Sequence, residues 1–372
     1  MQHQNKIIVV DETIREGMQH RGIVFSYPQR LKILEFQEKL NIDVCQAGYV
    51  PAHETEAEYV RELDLFCKKN KFRLAVAGMG RALLKDVKLL VDTDINHFHL
   101  HFHIKEESPN KNIVDTISES IDYIRSNTHI SVISIAMLDV GKTSDLFIKK
   151  IIDFLSFGLE IDIISLPDTS GIMAPNSLFD KIKYARKTIE DSASDLGIHC
   201  HNDLGFANAN TIMGILAGGS ILEVSALGIG ERNGIADLFI TADTLKKQGF
   251  DLNVNTSDIE TFKEYYSFIN SIYETQTGQS LLNYNTPLFG NGVKSHVAGT
   301  HAVSSFGIHS KEEYFINVLC GTHLIEKYLL KEKIAYNKSS LIKITNKIKS
   351  ESARLNRRVY KKEILEIAER YQ

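Results

Sequence analysis

Cysteine is scarce in this 372-residue sequence, and its four copies, Cys45, Cys67, Cys200 and Cys320, stand far apart with no CxxC pair. That spacing argues against a disulfide framework and against a cysteine-rich zinc site. No apolar run reaches the ~18 residues a membrane span needs. The opening stretch MQHQNKIIVVDE has no apolar signal core. Neither sign of charge dominates: the formal net charge is −4, so bulk electrostatics does not direct the chain to nucleic acid or to an anionic membrane. The basic stretch from Lys343 to Lys362 is mixed with acids in a helical pattern and reads as a solvated helix face. Internal repeats, low-complexity segments and Pro-rich linkers are absent, and nothing resembles a separate regulatory domain of ~100 residues. These absences predict a cytoplasmic protein with no nucleic-acid or membrane partner.

What is present is ordinary globular composition, 43% apolar and 24% charged, arranged in a regular order. Short β-branched segments recur at 6–10, 43–47, 73–77, 97–102, 130–137, 161–166, 198–201 and 221–227. Helix-like stretches such as 28–39, 55–69, 113–126, 144–157 and 175–188 separate most of them. Alternation of this kind predicts an α/β fold with a parallel sheet and helices outside. Eight units over about 250 residues fit a closed (β/α)8 TIM barrel better than an open sheet. The barrel is expected over residues 6–250. From 251 to 372 the pattern becomes polar and helix-rich, predicting a mainly helical C-terminal extension.

Barrel chemistry sits at the carboxyl ends of the strands, and four motifs fall there or in the extension. Asp11-Glu-Thr-Ile-Arg15-Glu16-Gly17-Met-Gln19 ends the first strand. Arg15 cannot lose its proton and can stabilise a developing oxyanion, while Glu16 can bind a cation through oxygen; a charged helix start is the competing reading. Gly197-Ile-His199-Cys-His201-Asn202-Asp203 ends the seventh segment. Alternation would turn His199 and His201 to one face as a pair of metal ligands and Cys200 away from them, against the alternative of two buried, backbone-satisfied histidines. Gly228-Ile-Gly230-Glu231-Arg232-Asn233-Gly234 is either a phosphate-holding loop or a plain turn. His296-Val-Ala-Gly299-Thr-His301 could carry a base, although chance placement competes. Glu16, His199 and His201 combine into a three-ligand set with positions left open for substrate.

Together the four motifs resemble the DRE-TIM metallolyases, and within them the homocitrate synthase and isopropylmalate synthase group. The resemblance is strong over about residues 6–250 (a pyruvate carboxyltransferase-like barrel) and weak to about Tyr314. It implies a metal-dependent Claisen condensation of acetyl-CoA with an α-keto acid, releasing CoA. The runner-up is a retro-aldol lyase of the 3-hydroxy-3-methylglutaryl-CoA lyase type. By position, Arg15 looks like the arginine that stabilises the enolate or alkoxide. Glu16, His199 and His201 look like ligands of one divalent ion, zinc, manganese or magnesium. His301 and Tyr314 look like the catalytic histidine and its tyrosine partner, with Asp139 as a further catalytic group. Gln19, Gln46, Arg81, His103 and Thr169 are expected to contact substrate, Thr169 at the keto-acid carboxylate. A homodimer is also implied.

Two residues lean toward homocitrate synthase: glutamate rather than aspartate at Glu16, and Ile235 where a metal-binding asparagine is usual in the related enzymes. Other residues depart from it. The fifth-strand segment Ser134-Ile-Ala136-Met-Leu138-Asp139 lacks the arginine that would hold the second carboxylate of 2-oxoglutarate. Gln46 stands where the resemblance implies a glutamate on the second strand. An unpaired buried carboxylate is costly, so 2-oxoglutarate is disfavoured as substrate. His99, His101 and His103, with Lys105 beyond them and Arg81, could serve a different acidic substrate; for His99 and His101 a satisfied core position is the favoured reading.

Overall fold

A computed structural model describes residues 6–103, 111–129, 132–137, 139–287, 289–296 and 313–371. Eight parallel strands close into a barrel in sequence order: β1 (Ile8–Asp11), β2 (Val44–Tyr49), β3 (Ala75–Arg81), β4 (His97–Phe102), β5 (Val132–Met137), β6 (Ile163–Ser165), β7 (Asp195–Ile198) and β8 (Ile221–Val224). Closure comes from β1, which pairs with β2 on one side and with β8 on the other. Helices follow the strands: α1 (Tyr27–Lys39), α2 (Glu54–Asn70), α3 (Leu84–Val91), α4 (Lys111–Asn127), α5 (Asp145–Asp153), α6 (Pro175–Thr188), α7 (Ala207–Leu216) and α8 (Leu238–Lys247). Local chemistry starts several of them. Gln29 Oε1 accepts from the Ser26 N–H at the head of α1, and Asp237 Oδ1 accepts from the Ile240 N–H at the head of α8, each satisfying a backbone donor left open there.

The barrel interior changes character along its axis. Val10, Val44, Ala77, Ile163 and Ile221 form a buried apolar layer. Side chains two residues further on share the same face of a strand. They are Glu12, Gln46, Met79, Ser165 and Glu223, all polar except Met79. An apolar floor therefore carries a polar layer on its carboxyl side, where barrel chemistry belongs.

The chain divides into two compact units, the first running to Leu281 and the second from Leu282 to Gln372. The sequence reading ended the barrel domain at 250; the first unit continues through α9 (Ile259–Thr277). Tyr265 on α9 donates to Asp11 Oδ2 at 2.9 Å, and its ring stacks on Phe36 with centroids 5.3 Å apart. In the second unit, two-residue strands β9 (Ser295–His296) and β10 (Glu313–Tyr314) pair in parallel. They are followed by α10 (Thr322–Lys331), α11 (Leu341–Leu355) and α12 (Lys361–Glu369). These three helices share a core of their own that includes Leu324, Ile344 and Ile364. All four cysteines are buried and free. Among the described residues, no helix is long and apolar enough to cross a membrane.

Candidate active site

At the carboxyl ends of the strands lies a cavity of about 300 Å³. Arg15, Glu16, Gln19, Thr169, His199 and His201 line it, so six residues singled out by the sequence reading meet around one space. Tyr49, Met79, His99, His101, Ala136, Ser165, Pro167, Glu223 and Glu231 complete the lining.

His199 and His201 follow β7 in an extended segment rather than ending it: the strand stops at Ile198, and Cys200 and His201 make isolated bridges with Asp168 and Ile235. The extended backbone keeps the alternation, so Cys200 is fully buried away from the cavity while both imidazoles reach it. His199 Nε2 and His201 Nε2 lie 3.3 Å apart. On its far side His199 Nδ1 meets Glu12 Oε2 at 3.0 Å and Glu223 Oε2 at 3.5 Å. Burial would lower the His199 pKa, but Glu12, then Glu223 and Glu16, outweigh it and push it up to about 9. Burial, reinforced by His199, takes His201 down to about 4.

Arg15 is buried in a ring of acceptors. Its Nη2 donates to Glu12 Oε2 at 2.8 Å, its Nη1 contacts Glu16 Oε2, and its Nε contacts Gln46 Oε1. Burial acts against the Arg15 charge, and Glu12 and Glu16 more than restore it. Glu12 is fully buried, which favours its neutral form, yet Arg15 and His199 hold its carboxyl well below the usual range. Burial, with Glu12 close by, raises Glu223. Glycines make this crowding possible. A Cβ at Gly197 would lie 2.6 Å from Glu223 Oε1, and one at Gly230 would lie 2.9 Å from Glu16 Cγ. The Gly228–Gly234 loop, expected to be a phosphate-holding loop or a plain turn, closes against the site. It presses its backbone on Glu16, whose Oε1 accepts from the Glu231 N–H at 3.0 Å.

Two sets of donors could hold a cation. One is Glu16, His199 and His201. Two nitrogens bound tetrahedrally to a single zinc-like ion sit roughly 3.3 Å apart, which matches the observed Nε2 pair. His201 Nδ1 is buried without a hydrogen-bond partner, so nothing commits this ring elsewhere. His199 donating from Nδ1 to a carboxylate is the arrangement that leaves Nε2 free for metal. The other set is Glu12, His199 and Glu223, whose donor atoms lie within 4.8 Å of one another. There Glu12 already accepts from Arg15, His199 and Gln46, and a cation would meet the guanidinium of Arg15 at close range. Glu16 is engaged too, by Arg15 Nη1 and the Glu231 N–H, so what sets the first group apart is the facing imidazole pair.

Of the remaining expected residues, Arg81, His103, Gln46 and Asp139 are not part of this lining. Arg81 donates to both oxygens of Asp86, at 2.6 and 3.0 Å, and does not reach the cavity. His103 is exposed and off the lining. Gln46 lies behind Arg15, fully buried. The Asp139 carboxylate is engaged by Lys142 and Ser170, while its backbone N–H donates to Thr169 Oγ1 at 3.1 Å. Asp139 thus orients Thr169 instead of facing the cavity. His301 and Lys105 lie outside the described residues. Tyr314 belongs to the second unit, where it packs against that unit's core and Lys331 Nζ lies 5.1 Å from its ring.

Sequence reasoning passed over Glu12 and Glu223 and favoured a core position over a substrate-facing one for His99 and His101. All four lie in or against the site. The signal that could have found them is the two-residue period, counted upward from the apolar floor.

A family model described as HMGL-like matches residues 6–265. The chain belongs to the HMGL-like family. Among curated relatives of this HMGL-like chain, the 2-isopropylmalate synthase of Sulfurisphaera tokodaii is 27% identical over 360 residues, covering 93% of this chain and 91% of the relative. A probable 2-isopropylmalate synthase of Methanosarcina acetivorans is 29% identical over 318 residues, 83% of this chain but 58% of the relative. Solved structures share the barrel. Hydroxymethylglutaryl-CoA lyase from Pseudomonas aeruginosa superposes with a TM-score of 0.61 at 14% identity, covering 79% of this chain and 99% of that one. The carboxyl transferase domain of Rhizobium etli pyruvate carboxylase gives 0.59 at 13% identity, covering 74% of this chain and 49% of that one.

Proposed function

We infer that this chain is a C-acyltransferase that joins acetyl-CoA to an α-keto acid by Claisen condensation, with release of CoA. The observation that carries the reading is the facing Nε2 pair of His199 and His201 beside Glu16, in one cavity with Arg15 and Thr169. Near-full-length relatives carrying the 2-isopropylmalate synthase name support the same reaction class.

Glu16, His199 and His201 would hold a divalent ion, which when bound supplies Lewis-acid polarisation of the keto carbonyl. The chain's own groups do the rest. Thr169 Oγ1 accepts from the Asp139 N–H, so its own proton is free to be donated to a substrate carboxylate. Arg15 is held without freedom to reorient and offers a fixed positive charge to the oxygen that becomes negative as the new C–C bond forms. The apolar floor below keeps bulk water from the base of the site.

The finer reading is that the keto acid carries an uncharged side chain. Tyr49, Met79, His99, His101 and Ala136 make the wall contributed by β2 to β5. Burial pushes His99 down to about 3 and His101 down to about 4, so both rings are neutral at neutral pH. Among the described residues this wall holds no cationic side chain, because Arg81 is taken by Asp86. A second substrate carboxylate there would be buried without a partner.

Free-thiol release from acetyl-CoA tests both levels, using pyruvate, 2-oxobutanoate, 2-oxoisovalerate, oxaloacetate and 2-oxoglutarate in the presence of Mn2+. CoA release that requires a keto acid, with the uncharged side chains giving the higher kcat/KM, is expected. No release with any keto acid, together with cleavage of 3-hydroxy-3-methylglutaryl-CoA, would replace the synthase reading by a lyase. Preference for 2-oxoglutarate would overturn the substrate reading alone.

A further inference from the structure

We propose that Glu12 is the positioning residue that sets both the metal-binding imidazole of His199 and the guanidinium of Arg15, and that the Glu12–Gln46 pair works by a fixed direction of hydrogen bonding. This rests on the proposed metal set. Glu12 has two acceptor oxygens and three donors aimed at them. Oε2 accepts from Arg15 Nη2 at 2.8 Å and from His199 Nδ1 at 3.0 Å. Oε1 accepts from Gln46 Nε2 at 2.9 Å, and Gln46 Oε1 in turn takes Arg15 Nε. Glu12 and Gln46 are both fully buried, so no solvent can stand in for a missing partner.

The consequence for His199 is a defined tautomer. A carboxylate on Nδ1 keeps a proton there, so the nitrogen a cation would take, displacing its proton, is Nε2, which faces the partner imidazole of His201. The consequence for Arg15 is a guanidinium plane gripped from two sides at once, through Nη2 by Glu12 just after β1 and through Nε by Gln46 on β2. One carboxylate therefore fixes the direction of a metal ligand and of the oxyanion-stabilising cation together.

The direction of the chain makes the idea testable. In Glu12→Gln, one of the two acceptors becomes a donor. If the new NH2 faces Gln46, it meets the NH2 of Gln46. Should Gln46 then rotate, its NH2 faces Arg15 Nε. If the new NH2 faces the other way, it meets Arg15 and His199. Every orientation leaves one donor against another. Exchanging both residues, E12Q/Q46E, reverses the bond between positions 12 and 46. Each remaining contact is then again one donor to one acceptor, and the single buried carboxylate is kept.

The experiment is Mn2+ titration of the metal-stripped full-length protein without substrates, followed by kcat at saturating Mn2+. E12Q is expected to weaken Mn2+ binding by roughly 10–100-fold, the usual effect of removing an outer partner of a ligating histidine. Its kcat should remain low at saturating Mn2+, and E12Q/Q46E should recover most of both losses. Wild-type Mn2+ affinity in E12Q would overturn the proposal, as would a double variant no better than E12Q. If E12Q does not fold, E12Q/Q46E must fold and bind Mn2+; failure of both overturns it equally. CoA release is measured separately, so wild-type protein that binds Mn2+ but condenses no keto acid would sink the proposed reaction and leave this inference standing.

Discussion

Two walls of the same cavity present histidines at two-residue spacing, yet their neighbours give them opposite characters. On β4, His99 shares a 2.9 Å hydrogen bond with Ser134 Oγ, and His101 Nε2 lies 3.4 Å from the Tyr49 hydroxyl. Hydroxyls do not offset the cost of burying an imidazolium, and burial holds both rings neutral. After β7, His199 faces two carboxylates on one edge and a second imidazole on the other. The spacing is the same; the carboxylates of Glu12 and Glu223 raise His199, while the hydroxyls beside β4 leave His99 and His101 neutral. Histidine periodicity alone therefore marks a face, and the charge opposite that face gives it a task.

The comparison can be broken most directly by removing one ring from each wall. His201→Ala should lose Mn2+ binding and metal-dependent turnover, while His101→Ala should keep the wild-type Mn2+ affinity. Equal loss in calorimetric titrations would erase the distinction between the walls. Next in size is Arg15→Ala, expected to leave metal content intact and lower kcat by roughly 10²–10³-fold, as for other lost oxyanion donors. A near-normal kcat would remove Arg15 from its assigned role. The smallest effect sharpens the account of β4 through His97, which burial pushes down to about 4 from 6.5. As pH falls, the unfolded chain takes up this proton first, near pH 6.5, and the folded protein only near pH 4. The contribution is thus full above pH 6.5 and is lost as pH drops toward 4, by about 3 kcal/mol at most. His97→Leu should narrow the gap between the urea midpoints at pH 7 and pH 4.5, and an unchanged gap would mean that this ring is not held neutral.

Much of the fold could be read in advance because its periodicities are clean. His97–Phe102 and Pro175–Thr188 are found with the expected bounds. The seventh strand lies about three residues before the expected segment, since His199–His201 is extended and buried like a strand but pairs only through isolated bridges. Arg15, Glu16, His199 and His201 were findable because each lies in a dense local motif. Glu12 sits in the same motif and was passed over, because its partners, Gln46 on β2, His199 after β7 and Arg15, converge only when the barrel closes. Arg81 was misplaced for the same kind of reason. Its fate depends on Asp86, five residues along at the start of α3, which captures the guanidinium before it can turn inward.

The tie between Tyr265 and Asp11 has a practical side. The family match stops at residue 265, in the middle of α9, so a fragment trimmed there would keep the phenol but lose the turns that hold it in place. Trimmed at 250, it would lose the phenol altogether, leaving the Asp11 carboxyl facing a bare apolar groove on α1 where Phe36 had been covered. Any attempt to isolate the barrel should therefore cut after Leu281, where the backbone leaves the first compact unit.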